Sequence, residues 1–306
     1  MSGLIVNAPE IIGQSPAIRM LLAFIQRAAL TTSNVLIVGD TGVGKELAAR
    51  TIHFVSKRKN KPFLKINCAE LNENLIESEL FGNKRGAFTD ACSDRPGLIE
   101  SAEGGTFLFD EFCDISPRLQ AKLLSVIEDK ELRRLGENHF RKVDTRFIFA
   151  MNKNPQALAI KGEFRQDLLY RISVLNIYIP PLRDRPTDIP LMIDSFIKRE
   201  CLNDMAELKI TQKAIELICS HPFPGNVREL ENVLIRACDL CSNRTIQKND
   251  ISFDIIPGMN KRHLNHTRKR NDIIDVLREC DGNKSKAAKE LGISRMHLYR
   301  LLKESE

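Results

Sequence analysis

Apolar residues follow two alternating rhythms over the first 180 positions. Short, nearly continuous apolar runs occur at Val35–Val38, Phe63–Ile66, Thr106–Phe109, Phe147–Ala150 and Val174–Ile179. Runs of this length without polar alternation predict strands buried on both faces, as in a parallel sheet. Helical spacing separates them. Ser15 can cap a first helix, Pro16 suits its first turn, and Ile18, Leu21, Leu22, Ile25 and Ala29 recur on one face. Strands alternating with helices predict a doubly wound α/β domain, which Pro180-Pro181 closes. From Asp188 to about Ser252 the spacing stays helical. Leu191, Ile193, Phe196 and Ile197 form one set, Ala214, Ile215, Leu217 and Ile218 a second, and Leu230, Val233, Leu234 and Ala237 a third. A small all-helical second domain follows from this. Pro257-Gly258 and a basic polar stretch over Asn260–Arg270 read as a linker, and a last helical unit runs from Asn271 to the end.

Composition narrows the class. A chain of 306 residues suggests two or three domains. No apolar run reaches membrane-spanning length, and Met1–Glu10 lacks the basic start and apolar stretch of a secretory signal. Eight cysteines are scattered, which fits a reduced, cytoplasmic setting. Cys238 and Cys241 form one C-x-x-C with no second pair and no nearby His, so they read as ordinary helix cysteines. The net charge of +6 is uneven: Lys261–Glu306 holds 12 Lys/Arg against 7 Asp/Glu, leaving 34 against 33 elsewhere. That excess points to nucleic acid as the partner of the tail.

The chemistry concentrates after the first strand. Gly39, Asp40, Thr41, Gly42, Val43, Gly44 and Lys45 link the Val35–Val38 run to a helix beginning at Glu46. Strand, glycine-rich turn, lysine and helix is the context of a phosphate-binding loop. Backbone N–H groups turn inward around phosphate oxygens, the helix N-terminus adds partial positive charge, and Lys45 adds a full one. Glu46 stands where the general pattern has Ser or Thr. Downstream, the Thr106–Phe109 strand ends in Asp110 and Glu111. Beside a phosphate loop, the first acid suits Mg²⁺ carried by ATP and the second suits an attacking water. Asn152, after the Phe147–Ala150 strand, is placed to sense a γ-phosphate, although an Asn there is also a common turn former.

These motifs together resemble the AAA+ ATPase module of the bacterial enhancer-binding proteins, the activators of sigma-54 RNA polymerase. The resemblance runs from Ile12 to Lys303. The family's phosphate loop also has Glu after its lysine, matching Glu46. Asn67 matches the residue that restrains the catalytic glutamate. Phe164–Arg171 matches the segment with the arginine fingers, which makes Arg165 and Arg171 catalytic residues donated to a neighbouring subunit. Pro224–Leu230 matches the second sensor, with Arg228 reaching the nucleotide. The resemblance implies ATP and Mg²⁺, a hexameric ring of identical subunits and no membrane association. It divides the chain into an α/β ATPase subdomain (1–183), a helical lid (184–253), a linker (254–268) and a Fis-type helix-turn-helix domain (269–306).

Gly86, Ala87, Phe88, Thr89, Asp90 and Ala91 match the loop with which the family touches sigma-54. Phe88 between small residues is a compact apolar anchor. Asp90 replaces the family's second Gly, changing both the backbone angles open to the loop and its charge. In the tail, Gly292 separates two helical patterns in helix-turn-helix fashion. Ser294 can cap the recognition helix, Arg295, Met296 and His297 lie where base contact is expected, and Lys284, Lys286 and Arg300 suit phosphates. The expected function is a transcriptional activator that binds upstream DNA, hydrolyses ATP and remodels sigma-54 RNA polymerase. The alternative is a DNA-binding regulator of the same fold that does not engage sigma-54 because its loop reads GAFTDA. Only about a dozen residues precede the ATPase module, so control by a regulator in trans is also expected.

Overall fold

The five apolar runs form one parallel sheet. The computed structural model describes residues 10–70, 72–87, 93–204 and 208–253. Strands β1 (Val35–Val38), β2 (Phe63–Asn67), β3 (Thr106–Asp110), β4 (Arg146–Met151) and β5 (Leu175–Tyr178) lie in the order β2-β3-β4-β1-β5. Every pairing among them is parallel. Side chains alternate across the sheet, and both faces are dry. Leu36, Phe107, Phe109, Phe147 and Phe149 enter one core, while Val35, Ile37, Leu108, Ile148 and Ala150 enter the other. This two-sided burial is why the strands read as continuous apolar runs.

Helices cover both faces, as expected of a doubly wound sheet. Helix α1 (Pro16–Ala29) and α2 (Lys45–Phe54) cover one side. Ser15 caps α1, its hydroxyl accepting from the Ile18 N–H at 3.3 Å. On the other side lie α3 (Glu73–Phe81), α4 (Leu98–Ser101), α5 (Pro117–Asp129), α6 (Pro155–Ile160) and α7 (Gln166–Ile172). The core there is aromatic: Phe109 stacks on Phe149 with centroids 5.2 Å apart, and Phe112 tilts against Phe149 at 4.7 Å.

Two small hairpins were not legible in the pattern, since two-residue strands carry no period. Gly82–Asn83 pairs with Arg95–Pro96, and Glu131–Leu132 pairs with Arg141–Lys142. They are stitched together by Leu135 N–H to Gly82 O and Lys84 N–H to Leu135 O, both 2.9 Å.

After two 3-10 turns, Leu182–Asp184 and Pro186–Asp188, the chain enters α8 (Ile189–Asp204), α9 (Gln212–Cys219) and α10 (Asn226–Leu240). These are the three helices expected of the lid. Leu208, Ala214, Ala237 and Ile246 form a small core there. The Cys241 thiol donates to Cys238 O at 3.2 Å, and both cysteines are free. The chain divides into two units after Ile251. The expected linker and helix-turn-helix, with Lys284, Lys286, Ser294, Arg295, Met296, His297 and Arg300, lie outside the described residues. Among the described residues, no helix is long and apolar enough to cross a membrane.

Candidate active site

The loop Gly39–Gly44 joins the carboxyl end of β1 to the N-terminus of α2, where open α/β sheets bind ligands. Gly42 and Gly44 have φ of 79° and 101°, in the left-handed region that glycine enters at least cost. A Cβ on Gly42 would also stand 2.3 Å from Gly225 O, so the turn admits no side chain. Lys45 is the first residue of α2 and is buried. Its ammonium donates to Gly39 O at 2.9 Å and Asp40 O at 3.1 Å, which folds it back over the loop. Burial pushes the Lys45 pKa down, the carboxylates of Asp110 and Glu111 pull it up, and Arg228 adds a further downward push. All three groups therefore lie within electrostatic range of the lysine.

Asp110 ends β3, and its carboxylate accepts from the Glu111 N–H at 3.0 Å. Glu111 holds φ 51°, an uncommon backbone for a non-glycine residue and one that clusters at functional sites. Its carboxylate has no hydrogen-bond partner among the described residues. One half-buried carboxylate at a strand end fits the way Mg²⁺ is held by few protein oxygens plus phosphates and water. Asn152 follows β4 and accepts from the Cys113 thiol at 3.0 Å, which anchors its amide beside the acidic turn.

The lid reaches the same loop. Asn226 is fully buried at the start of α10 and has φ 55°. Its amide donates to Thr41 O at 2.9 Å and accepts from Leu182 N–H at 2.8 Å. The Arg228 N–H donates to Gly42 O at 3.3 Å. Arg183 pairs with Asp40 at 3.2 Å. Between lid and sheet lies a cleft of about 1030 Å³. Ile12, Leu47, Thr51, Ile179, Met192 and Val227 give it mostly apolar walls, and Val43 and Gly44 bring the phosphate loop to its edge. This size and lining suit a small-molecule site.

Some expected site residues point elsewhere. Glu46, grouped with the nucleotide-binding residues, bonds Arg50 and Lys65 at 2.8 Å each and ties α2 to β2. Burial alone would raise its pKa, but those two cations hold it below the ordinary carboxylate range. Asn67 pairs in register with Asp110, yet its amide donates to Glu70 at 2.8 Å, not to Glu111. Arg165 forms a two-pronged pair with Asp167, and Arg171 pairs with Glu128 at 2.6 Å. Arg171 O accepts from Asn34, the residue before β1, at 3.0 Å, so this end of α7 stands at the far end of β1 from the phosphate loop. Gly86 and Ala87 lie on the stem of the contact loop. Asp94 holds that stem by accepting from Lys84 at 2.6 Å and the Arg85 N–H at 2.9 Å. Phe88, Thr89, Asp90 and Ala91 lie outside the described residues.

Reading residues in sequence missed Asn226, Cys113, Arg183 and Arg185. Asn226 sat inside the second-sensor segment, where the nearby cation Arg228 drew the nucleotide-binding role. The segment Pro180–Arg185 read only as a domain end.

The chain is similar to known proteins throughout. Residues 11–178 match the family described as Sigma-54 interaction domain, 183–268 match AAA+ ATPase lid domain, and 270–304 match Bacterial regulatory protein, Fis family. The chain is 46% identical over 248 residues to a Nif-specific regulatory protein of Azorhizobium caulinodans, covering 81% of this chain and 40% of the relative. It is 41% identical over 298 residues to the transcriptional regulatory protein ZraR of Escherichia coli K12, covering 95% of this chain and 68% of that one. The crystal structure of NtrX from Brucella abortus in complex with ATP superposes with a TM-score of 0.72 at 32% identity, covering 96% of this chain and 69% of that one. The same protein in complex with ADP gives a TM-score of 0.74 at 31% identity, with 97% and 69% covered. This chain thus spans about two-fifths of the length of the Nif-specific regulators it matches.

Proposed function

This chain belongs to the family that carries the Sigma-54 interaction domain on an AAA+ fold with an AAA+ lid, and from that membership we propose that it is a DNA-binding transcriptional activator that hydrolyses ATP to remodel sigma-54 RNA polymerase. The observation that carries this reading is the glycine loop with Lys45 folded back on Gly39 O and Asp40 O, tied to the lid by Asn226 and the Arg228 N–H, beside a cleft of nucleotide size.

Each residue has a physical task. The N–H groups at the start of α2 and the Lys45 ammonium bind the β- and γ-phosphates. Asp110 would hold Mg²⁺, which would supply charge neutralisation across the phosphates. Glu111 orients water toward the γ-phosphate. Asn152, steadied by Cys113, reports whether that phosphate is present, and Arg228 links the report to the lid. Asn67 restrains Glu111 after turning away from Glu70.

Arg165, the N-cap of α7, and Arg171, in its last turn, are exposed, and the Arg171 end is remote from the phosphate loop of its own chain, which favours a role in a neighbour's site. Tyr170, Val174 and Tyr178 are exposed along the same edge, next to the terminal strand β5. An apolar edge beside two arginines suits side-by-side packing of identical subunits in a hexameric ring. Nucleotide state then raises or lowers the Gly86–Ala91 loop toward sigma-54. The 269–306 unit binds upstream DNA through Arg295, Met296 and His297 on bases and Lys284, Lys286 and Arg300 on phosphates. The setting is cytoplasmic.

Asp90 favours a second reading, a DNA-binding regulator that leaves sigma-54 untouched. A transition-state mimic of ADP with a metal fluoride separates the two. The lead reading expects a stable complex of the protein with sigma-54. Phosphate release without any such complex would hand the case to the second reading.

A further inference from the structure

Arg185 is an unassigned cation in the wall of the cleft. It follows the Leu182–Asp184 turn and is 3% exposed. Its guanidinium carries five N–H donors in a fixed fork. Among the described residues it makes one hydrogen bond, a long one of 3.4 Å from Nη2 to Val43 O in the phosphate loop. Nε is buried without a partner, and Nη1 makes no hydrogen bond among the described residues. Burial lowers the pKa of this guanidinium, while Asp188 raises it. The Asp188 carboxylate nonetheless accepts no hydrogen bond from the guanidinium; only its backbone N–H meets Arg185, donating to the Arg185 carbonyl at 3.0 Å. Its Oδ1 accepts from Gln14 N–H at 2.7 Å and Ser15 N–H at 2.8 Å, and its Oδ2 accepts from the Ser15 hydroxyl at 2.7 Å. That carboxylate is committed to the start of α1.

A buried cation with so few partners is costly, and each unsatisfied buried donor calls for an explanation. Charge alone would be better placed in solvent. The location supplies the reason. Arg185 lines the cleft together with Ile12, Leu47, Thr51, Met192 and Phe196. The apolar walls suit the faces of a flat heteroaromatic base; of the charged residues that also line the cleft, Glu10, Lys198, Arg199 and Glu231 are exposed, and Arg185 is the buried one. A guanidinium held by one long bond turns at little cost, and it can only donate. What it complements is an acceptor, and a purine edge presents ring nitrogens.

We propose that Arg185 reads the base of the bound nucleotide, its guanidinium donating to a purine ring nitrogen. This rests on the nucleotide-binding reading above and deepens it. Arg185 is a specificity residue here, with no part in phosphoryl transfer.

The test compares equilibrium binding of ATP, 1-deaza-ATP, 3-deaza-ATP, 7-deaza-ATP and 2′-deoxy-ATP to the full chain and to Arg185→Met. In the unaltered protein, one deaza analogue should bind roughly 10- to 100-fold more weakly than ATP, the worth of a hydrogen bond from a charged donor. In Arg185→Met, ATP should weaken by a similar factor and the deaza penalty should vanish. Three deaza analogues that all match ATP would overturn the proposal, as would a penalty that survives in Arg185→Met. A 2′-deoxy penalty that Arg185→Met removes, without a deaza penalty, would move the contact to the ribose and also overturn it. If Arg185→Met does not fold, the deaza series on the unaltered protein decides the matter alone. Failure of the unaltered protein to bind ATP at all would sink the nucleotide-binding reading itself.

Discussion

A buried cation and a buried imidazole at the amino end of the sheet show what a single residue carries. Arg146 opens β4 and is 2% exposed, with no carboxylate partner among its hydrogen bonds. It donates to Ala28 O at 2.6 Å and Ser33 O at 3.4 Å, capping the last turn of α1 where helix carbonyls are unsatisfied. Burial brings its pKa down to about 10. His53, at the end of α2, contacts the Thr106 hydroxyl at 2.9 Å. Burial pushes the His53 pKa below its ordinary 6.5, and Arg146 adds to that push against an opposing backbone hydrogen bond at Lys61. The sign of the consequence is definite. The unfolded chain takes up the proton first, so stability present above about pH 6.5 is lost as pH falls through that value, by at most about 1.4 kcal/mol per pH unit. Thermal melts from pH 7.5 to 5.5 should show a shallower loss in His53→Gln than in the unaltered protein. Equal slopes would mean that His53 does not titrate with folding. Neither residue stood out in sequence, because a charged side chain inside an apolar pattern reads as a solvated face until its burial is known.

At the scale of elements, the joint between phosphate loop and lid is the informative one. The pattern located both partners, the strand-turn-helix around Lys45 and the helix beginning at Asn226. It could not locate their contact, which spans more than 180 positions of chain. Asn226 joins Thr41 to Leu182 through one amide while its backbone stays left-handed. The carbonyls of Thr41 and Gly42 both point at the lid, which leaves the following N–H groups free for phosphates. Asn226→Gly keeps the backbone conformation and deletes the amide. Titration with a fluorescent ADP should show affinity lowered roughly five-fold or more, since two hydrogen bonds of about 0.5–1.5 kcal/mol each are lost. Full affinity in a folded variant would uncouple lid from loop. Glu46 taught a related lesson: its place in the motif suggested nucleotide, but Arg50 and Lys65 already occupy its carboxylate.

For the whole molecule, the proposed ring rests on whether Arg165 and Arg171 serve the site of a neighbouring subunit. Arg165 and Arg171 face outward and hold local acids, an arrangement that a neighbour's phosphate would outbid. Arg165→Ala should lower phosphate release by about 10³-fold or more. Mixing it with Lys45→Ala, which cannot bind ATP, should restore a fraction of the activity, because the intact Arg165 of one subunit then serves the intact loop of the other. No recovery from a mixture that co-assembles would show that Arg165 acts only within its own chain.

Local chemistry determined much of this protein by itself. Strand and helix periods, the glycine turn with Lys45, the acidic pair after a buried strand and the basic tail are all written in short windows, where backbone geometry and burial act on neighbours in sequence. The tertiary structure decided what depends on distant segments meeting: the β2-β3-β4-β1-β5 order, the stitched hairpins, the Asn226 tie and the crowding of Arg185 against the cleft. Hydrogen-bond satisfaction and desolvation are set by what surrounds a group in space, and a linear pattern holds no record of which remote backbone will arrive there.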